Sequence, residues 1–230
     1  MLSTIAIVPS APVLVPELAG AAAAEVADQS AATLAAAALL PERWVVIGTG
    51  PADDEFGPDA VGTFAGFGVD VRVRLSPQSG DVSEPAGLPV CALLGGWVRG
   101  QTHPQASAQV RVYRSDHDVD TALSRGKQLR AEIDRLPEPI GVLVVADGAN
   151  TLTPAAPGGH DPGNAVAQKA LDDALAGGDV GELIRLPHQI LGRVAFQVLA
   201  GLAEPGPRSA KELYRGAPYG VGYFAGAWQL

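Results

Sequence analysis

Gly141–Ala146, GVLVVA, decides the reading of the fold, because no polar residue interrupts it. A strand with one wet face alternates apolar and polar residues. A strand covered on both faces reads instead as a continuous apolar run. GVLVVA therefore belongs in the middle of a sheet with helices on either side. It runs straight into Asp147-Gly148-Ala149-Asn150-Thr151, a loop rich in turn-forming residues. In open α/β sheets, ligands sit beyond the carboxyl ends of the central strands. That puts Asp147 where a carboxylate can orient a substrate or titrate abnormally. The competing reading is an Asp-Gly turn that satisfies only its own backbone, and the sequence does not separate the two.

Outward from this strand, apolar runs recur at Thr4–Val8, Arg43–Gly48, Val69–Leu75 and Gln109–Tyr113, with helical stretches at Ala21–Leu40 and Asp120–Leu136. Strands alternating with helices predict a single α/β domain over residues 1–230, with a central mixed or mostly parallel sheet flanked by helices. Val69–Leu75 alternates Val and Arg and reads as an edge strand. Leu88–Gly100 fits a closely packed helix through Gly95-Gly96, although a strand also accommodates it. Asp161-Pro162 predicts a helix start, with Asp as cap and Pro at the first helical position. That helix runs to about Ala176 and stops at Gly177-Gly178. Leu183–Ala203 supplies one or two further helices. Pro205-Gly206-Pro207 is a loop, and Gly216–Trp228 reads as a closing strand rich in glycine and aromatic residues.

Composition narrows the function classes. The chain has 230 residues, 47% of them hydrophobic but only 5% aromatic, so Ala, Val and Leu must build the core. A formal net charge of −9 has the wrong sign for capturing nucleic acid or an anionic membrane. The single cysteine, Cys91, allows no internal disulfide and reads as a small core residue. Met1–Val8 has no basic leader, and no segment reaches the roughly 20 apolar residues of a membrane span. A cytoplasmic location is expected.

Chemistry-bearing motifs are sparse. Gly48-Thr49-Gly50 begins like a dinucleotide fingerprint, but the third glycine is missing, and Pro51 and the acids Asp53, Asp54 and Glu55 oppose phosphate binding. There is no G-x-S-x-G elbow. The histidines at 103, 117, 160 and 188 form no metal-ligand spacing. His117 stands in Asp116-His117-Asp118, where a solvated turn is the simpler reading. His160 precedes the Asp161-Pro162 helix start and is a candidate acid or base, or else a plain loop residue. Asp53 and Asp54 are candidate oxygen ligands for a hard cation, or simply solvated charge. Ser10, in the loop after Thr4–Val8 with Pro9, Pro12 and Pro16, is a hydroxyl at a second carboxyl edge. With Pro51, Asn150 and Thr151 it would line a substrate cleft.

Several landmarks occur in a telling order: Ser10-Ala11-Pro12 after the opening strand, Trp44–Pro51, Leu88–Val98, Val142–Thr151, Gly192–Gly201 (GRVAFQVLAG) and Ala217–Trp228 (APYGVGYFAGAW). In that order they resemble the LigB superfamily, the catalytic subunits of class III extradiol ring-cleavage dioxygenases, and within it a divergent bacterial subgroup. The resemblance spans nearly the whole chain and implies an α/β scaffold with ferrous iron held by histidines. Its first iron ligand would fall at Ser10. Its second would fall at Gly50-Pro51, and its catalytic histidine in Asp147–Thr151, a loop without histidine. Glu17 and Glu212 are candidates for its carboxylate ligand. Ferrous iron needs a facial set of nitrogen and oxygen donors, so the resemblance implies a scaffold that has lost its usual Fe(II) site. The expectation is a small-molecule-binding or non-catalytic homologue. The alternatives are a rebuilt metal-dependent oxygenase or hydrolase around Asp147 with Asp53 and Asp54, or an interaction protein whose aromatic ending meets a second copy.

Overall fold

A computed structural model describes residues 1–80 and 85–230. In chain order its elements are β1 (Leu2–Val8), α1 (Pro16–Ala19), α2 (Ala27–Ala37), β2 (Arg43–Gly50), β3 (Asp54–Phe56), β4 (Val61–Thr63), β5 (Arg72–Arg74) and α3 (Val90–Thr102). These are followed by β6 (Ser107–Arg114), α4 (Val119–Asp134), β7 (Ile140–Val145), α5 (Asn164–Gly177), α6 (Val180–Ile184), α7 (Arg193–Ala203), β8 (Ser209–Gly216) and β9 (Tyr223–Gln229).

The main sheet has seven strands in the order β3-β6-β2-β7-β1-β9-β8. β6, β2, β7 and β1 run parallel, and antiparallel strands finish both sides. The apolar run decides this arrangement as expected: every residue of β7 is buried. Side chains alternate between two cores. Ile5, Ile7, Val45, Ile47, Val142 and Val144 face a cluster with Leu129, Leu171, Phe196 and Leu199, from α4, α5 and α7. Ala6, Val8, Val46, Leu143 and Val145 face another with Ala36, Leu94, Trp97 and Val98, from α2 and α3. The domain is a helix–sheet–helix sandwich.

Small residues bring these layers together. A Cβ at Gly48 would stand 2.2 Å from that of Cys91, so α3 lies flush on β2. Gly48 is therefore a packing glycine and not part of a phosphate cradle. Cys91 is buried beneath it, with its thiol pushed up to about 11 by burial. On the opposite face α4 and α7 cross with their backbones touching. A Cβ at Gly126 would meet the Val198 carbonyl at 2.1 Å, and one at Gly201 the Leu123 carbonyl at 2.3 Å. Asp118 caps α4 by accepting the Thr121 N–H at 2.7 Å.

The helix reading of Leu88–Gly100 holds, as α3. Several other local expectations are corrected. Val69–Leu75 is no edge of the main sheet, since only Arg72–Arg74 is strand and it pairs with β4 in a separate hairpin. The Ala-rich stretch begins as a 3-10 turn over Gly20–Ala24, and the α-helix starts at Ala27. Asp161 does not cap α5 directly; it accepts the Gly163 N–H at 2.9 Å, and the helix begins at Asn164. Of the expected closing strand Gly216–Trp228, Gly216 ends β8 and only the part from Tyr223 forms β9, which pairs with β8, a strand before it that the sequence pattern does not signal. The aromatic ending lies in the monomer core, with Phe224 3% and Trp228 0% exposed, and the Trp228 indole donates to the Leu175 carbonyl at 2.8 Å. No helix among the described residues is long and apolar enough to cross a membrane.

Candidate functional site at the carboxyl edge of the sheet

After β1 the chain departs toward the α2–α3 face, and after β7 toward the α5–α7 face. Neighbouring parallel strands whose chains part to opposite faces leave a crevice between them, which is where such sheets take ligands. Ser10 and Asp147 flank that crevice. The Ser10 N–H donates to Asp147 Oδ1 at 2.7 Å. Burial pushes the Asp147 carboxyl up to about 7, against the opposing effect of that single backbone donor. Near neutrality this is a carboxyl with comparable populations of acid and anion, able to donate as well as accept.

The loop that carries Asp147 is tied on three sides. Gly148 N–H donates to the Gly222 carbonyl and Gly222 N–H to the Ala149 carbonyl, both at 2.8 Å. Gly192 N–H reaches the Asp147 carbonyl at 2.8 Å from the start of α7. Gln168 Oε1 accepts the Ala149 N–H at 2.8 Å, while its amide donates to Asp172 Oδ1 at 2.8 Å. Burial raises Asp172 to about 6. Cβ atoms at Gly148 and Gly222 would both lie near 2 Å from Gln168, at 2.0 and 2.1 Å. Glycine is thus required for the glutamine to sit under the loop.

Tyr223, missed by sequence reasoning, completes this edge. β9 runs antiparallel beside β1 with Ile7 opposite Gly226, and continuing that register carries Tyr223 to the level of Ser10. Its side chain is buried and senses the Asp147 charge, and burial raises its hydroxyl well above the phenol's ordinary value. It makes no hydrogen bond among the described residues. Tyr219, close by, donates to Glu25 Oε2 at 3.2 Å.

The other sequence candidates separate from this group. Thr151 Oγ1 accepts from Asn164 Nδ2 at 2.8 Å, and the Asn150 carbonyl accepts the Gly158 N–H at 2.9 Å, so both residues anchor the segment leading to α5. His160 and Pro51 are exposed. Asp53 lies beyond β2, where Oδ1 accepts the Arg114 N–H at 2.8 Å and pairs with His117 Nε2 at 2.7 Å, and Oδ2 accepts from Arg125 at 3.0 Å. His117 is thus a partner of Asp53 and not a free turn residue. Asp54 begins β3, and its Oδ1 accepts the neighbouring Glu55 N–H.

The donor set does not fit the iron centre of the resembled family. Imidazole is absent at Ser10, at Gly50-Pro51 and across Asp147–Thr151. Both Asp53 oxygens are engaged, Glu17 is exposed and Glu212 pairs with Arg215. Among the described residues no group of three or more His, Cys, Asp or Glu side chains is arranged to hold a metal ion.

No family model matches the chain, and no curated protein matches it. Among solved structures, the uncharacterized protein JW3007 from Escherichia coli K12 is similar over 98% of this chain and 99% of its own, with a TM-score of 0.54 and 10% identity. At that identity the likeness is one of fold. The class defined here is therefore a single α/β domain whose seven-stranded mixed sheet is flanked by helices, with Ser10 and Asp147 joined at the carboxyl ends of β1 and β7.

Proposed function

We propose that this chain is a divergent LigB-like protein that binds a small, oxygen-rich molecule in the β1–β7 crevice without histidine-held iron. The observation that carries the reading is the meeting of Ser10, Asp147 and the unbonded Tyr223 hydroxyl at one carboxyl edge. In its acid form Asp147 donates to a ligand carboxylate or carbonyl, while the Ser10 and Tyr223 hydroxyls donate or accept as the ligand requires. The loop bonds to Gly222, Gly192 and Gln168 hold the carboxyl in place before a ligand arrives, which lowers the ordering cost of binding. The rebuilt-metal alternative draws no support from the geometry, because Asp53 is committed to His117 and Arg125.

The test uses protein purified without chelators, assayed for bound metal and for turnover of catechol and ring-carboxylated catechols with added ferrous iron. Calorimetry with the same compounds then measures binding on either side of pH 7. Binding without turnover, weakening as the pH rises and Asp147 ionises, is the expected result. Stoichiometric iron with catechol cleavage would overturn the proposal, as would no binding at either pH.

A further inference from the structure

The buried residues of α2 are Gln29, Ala32, Thr33, Ala36 and Ala37, and the helix packs on β1, β8 and β9. Its later half is ordinary: Ala36 and Ala37 join the apolar core on that face. The first half is not. Gln29 is 1% and Thr33 0% exposed, yet neither amide atom of Gln29 nor the Thr33 hydroxyl has a hydrogen-bond partner among the described residues. Buried polar atoms are paired in the great majority of cases, and leaving three unpaired costs stability that apolar side chains would keep. Departures of this kind gather where a function needs the groups.

The topology fixes which end of the sheet these groups face. β1 and β2 both run parallel to β7, so α2 returns across the sheet with its first turn at the carboxyl edge. β9 starts at the same edge with Tyr223, and the antiparallel register puts Tyr214 of β8 opposite Ala225. Tyr214, Tyr219 and Tyr223 all pack against the core that α2 covers. Tyr223 lies within electrostatic reach of both other phenols, and Tyr214 within reach of Asp28, the neighbour of Gln29. The chain leading into α2 is lightly held. It makes a 3-10 turn over Gly20–Ala24 that buries no side chain, and at its end Glu25 accepts the exposed Tyr219 hydroxyl at 3.2 Å. Segments with so little buried surface open at low cost.

We propose that Gln29 and Thr33 form the inner wall of a second binding subsite, on the α2 side of β1, which opens when residues 20–25 swing aside and takes an amide edge. The Gln29 side chain offers an N–H and a C=O side by side, and a group that satisfies both presents an acceptor and a donor in one plane. A primary carboxamide does so, as does the C=O and N–H edge of a lactam or pyrimidine ring. Thr33 adds a hydroxyl one turn further along, and the tyrosines supply faces for a flat guest. Glu25 and Asp28 at the helix start disfavour an anion. The subsite goes beyond the crevice reading and does not depend on Asp147.

The experiment is calorimetric titration of the full chain with uracil and with benzamide. Dimethyluracil and dimethylbenzamide, methylated at nitrogen, keep the shapes but lose every N–H. Each titration is repeated with Gln29→Met/Thr33→Val, and with Glu182→Gln on α6 as the control. Saturable binding of uracil marks a ring amide, and of benzamide an open carboxamide. Either should weaken roughly tenfold or more on methylation and in the double variant, the effect of removing hydrogen bonds from a buried pair, and the control should be unchanged. The double variant should also unfold at a higher temperature than the parent, which separates lost binding from lost structure. No binding of either amide, equal binding of the methylated probes, or undiminished binding by the double variant would overturn the proposal. So would equal weakening by Glu182→Gln, or a double variant that unfolds at a lower temperature, because Gln29 and Thr33 would then be bonded within the native protein.

Discussion

Replacing Asp147 by asparagine should remove one steep component of the pH dependence of this domain's stability. The folded chain holds the Asp147 proton up to about 7, whereas an ordinary aspartate releases it near 3.8. Between those limits the native state binds a proton that the unfolded state has lost, so stability falls as pH rises. The slope approaches 1.4 kcal/mol per pH unit for one proton. Across the whole interval the loss sums to about 4 kcal/mol. Asp147 keeps partial contact with solvent, so the observed loss falls at or below that value. Asparagine stays neutral, and its side-chain oxygen can still accept the Ser10 N–H. Urea unfolding of both proteins, followed by tryptophan fluorescence at intervals from about pH 4.5 to 7.5, isolates this residue, because every other titrating group is shared. The variant should differ least from the parent at the acid end of this range and exceed it progressively toward neutrality. Parallel curves would refute the reasoning, for they would mean that the carboxyl ionises in the folded chain as easily as in water.

Further outcomes follow from other parts of the molecule. The side-chain amide of Gln29 and the hydroxyl of Thr33, on one face of α2, are buried without partners; Gln29→Met with Thr33→Val should raise the unfolding free energy by about 1–3 kcal/mol in urea titration. Gly126→Ala or Gly201→Ala drives a methyl into backbone across the α4–α7 crossing and should cost about 3 kcal/mol or more, measured as a lowered thermal midpoint. Gln168→Leu leaves the Ala149 N–H without its acceptor, so exchange of that amide should accelerate by at least tenfold relative to β7 amides in hydrogen–deuterium exchange.

What the sequence made legible depended on how local the signal was. GVLVVA carries its burial in its own composition, and its position at the centre of the sheet follows directly. The Asp147 loop was legible for the same reason, and its pairing with Ser10 agrees with two carboxyl edges meeting. β8 was not legible, because SAKELYRG is a half-exposed edge strand with lysine, glutamate and arginine and little apolar patterning. The Val69–Leu75 alternation was real, but alternation does not say which sheet a strand joins. Tyr223 was hidden by a long-range fact: only the antiparallel return of β9 beside β1 brings it to Asp147. The His117–Asp53 contact depends likewise on β2 and β6 lying in register, with Gly50 opposite Arg114.

The position of β1 has a kinetic consequence. Its hydrogen-bonded neighbours are β7 and β9, with Leu2 opposite Ile140 and Thr4 opposite Gln229. No hairpin or short crossover can form either pairing, so the loops that close around this strand are among the longest the topology contains. Chains dominated by such distant pairings reach their native state slowly, since the entropy of closure is lost before the contacts reward it. The helical crossing of α4 on α7 and the β2–β6 pair assemble from nearer segments. The contact between Ser10 and Asp147 is therefore expected late in folding, as the two halves of the sheet close, and pulse-labelling hydrogen exchange should protect the Ser10 amide after those of β2 and β6.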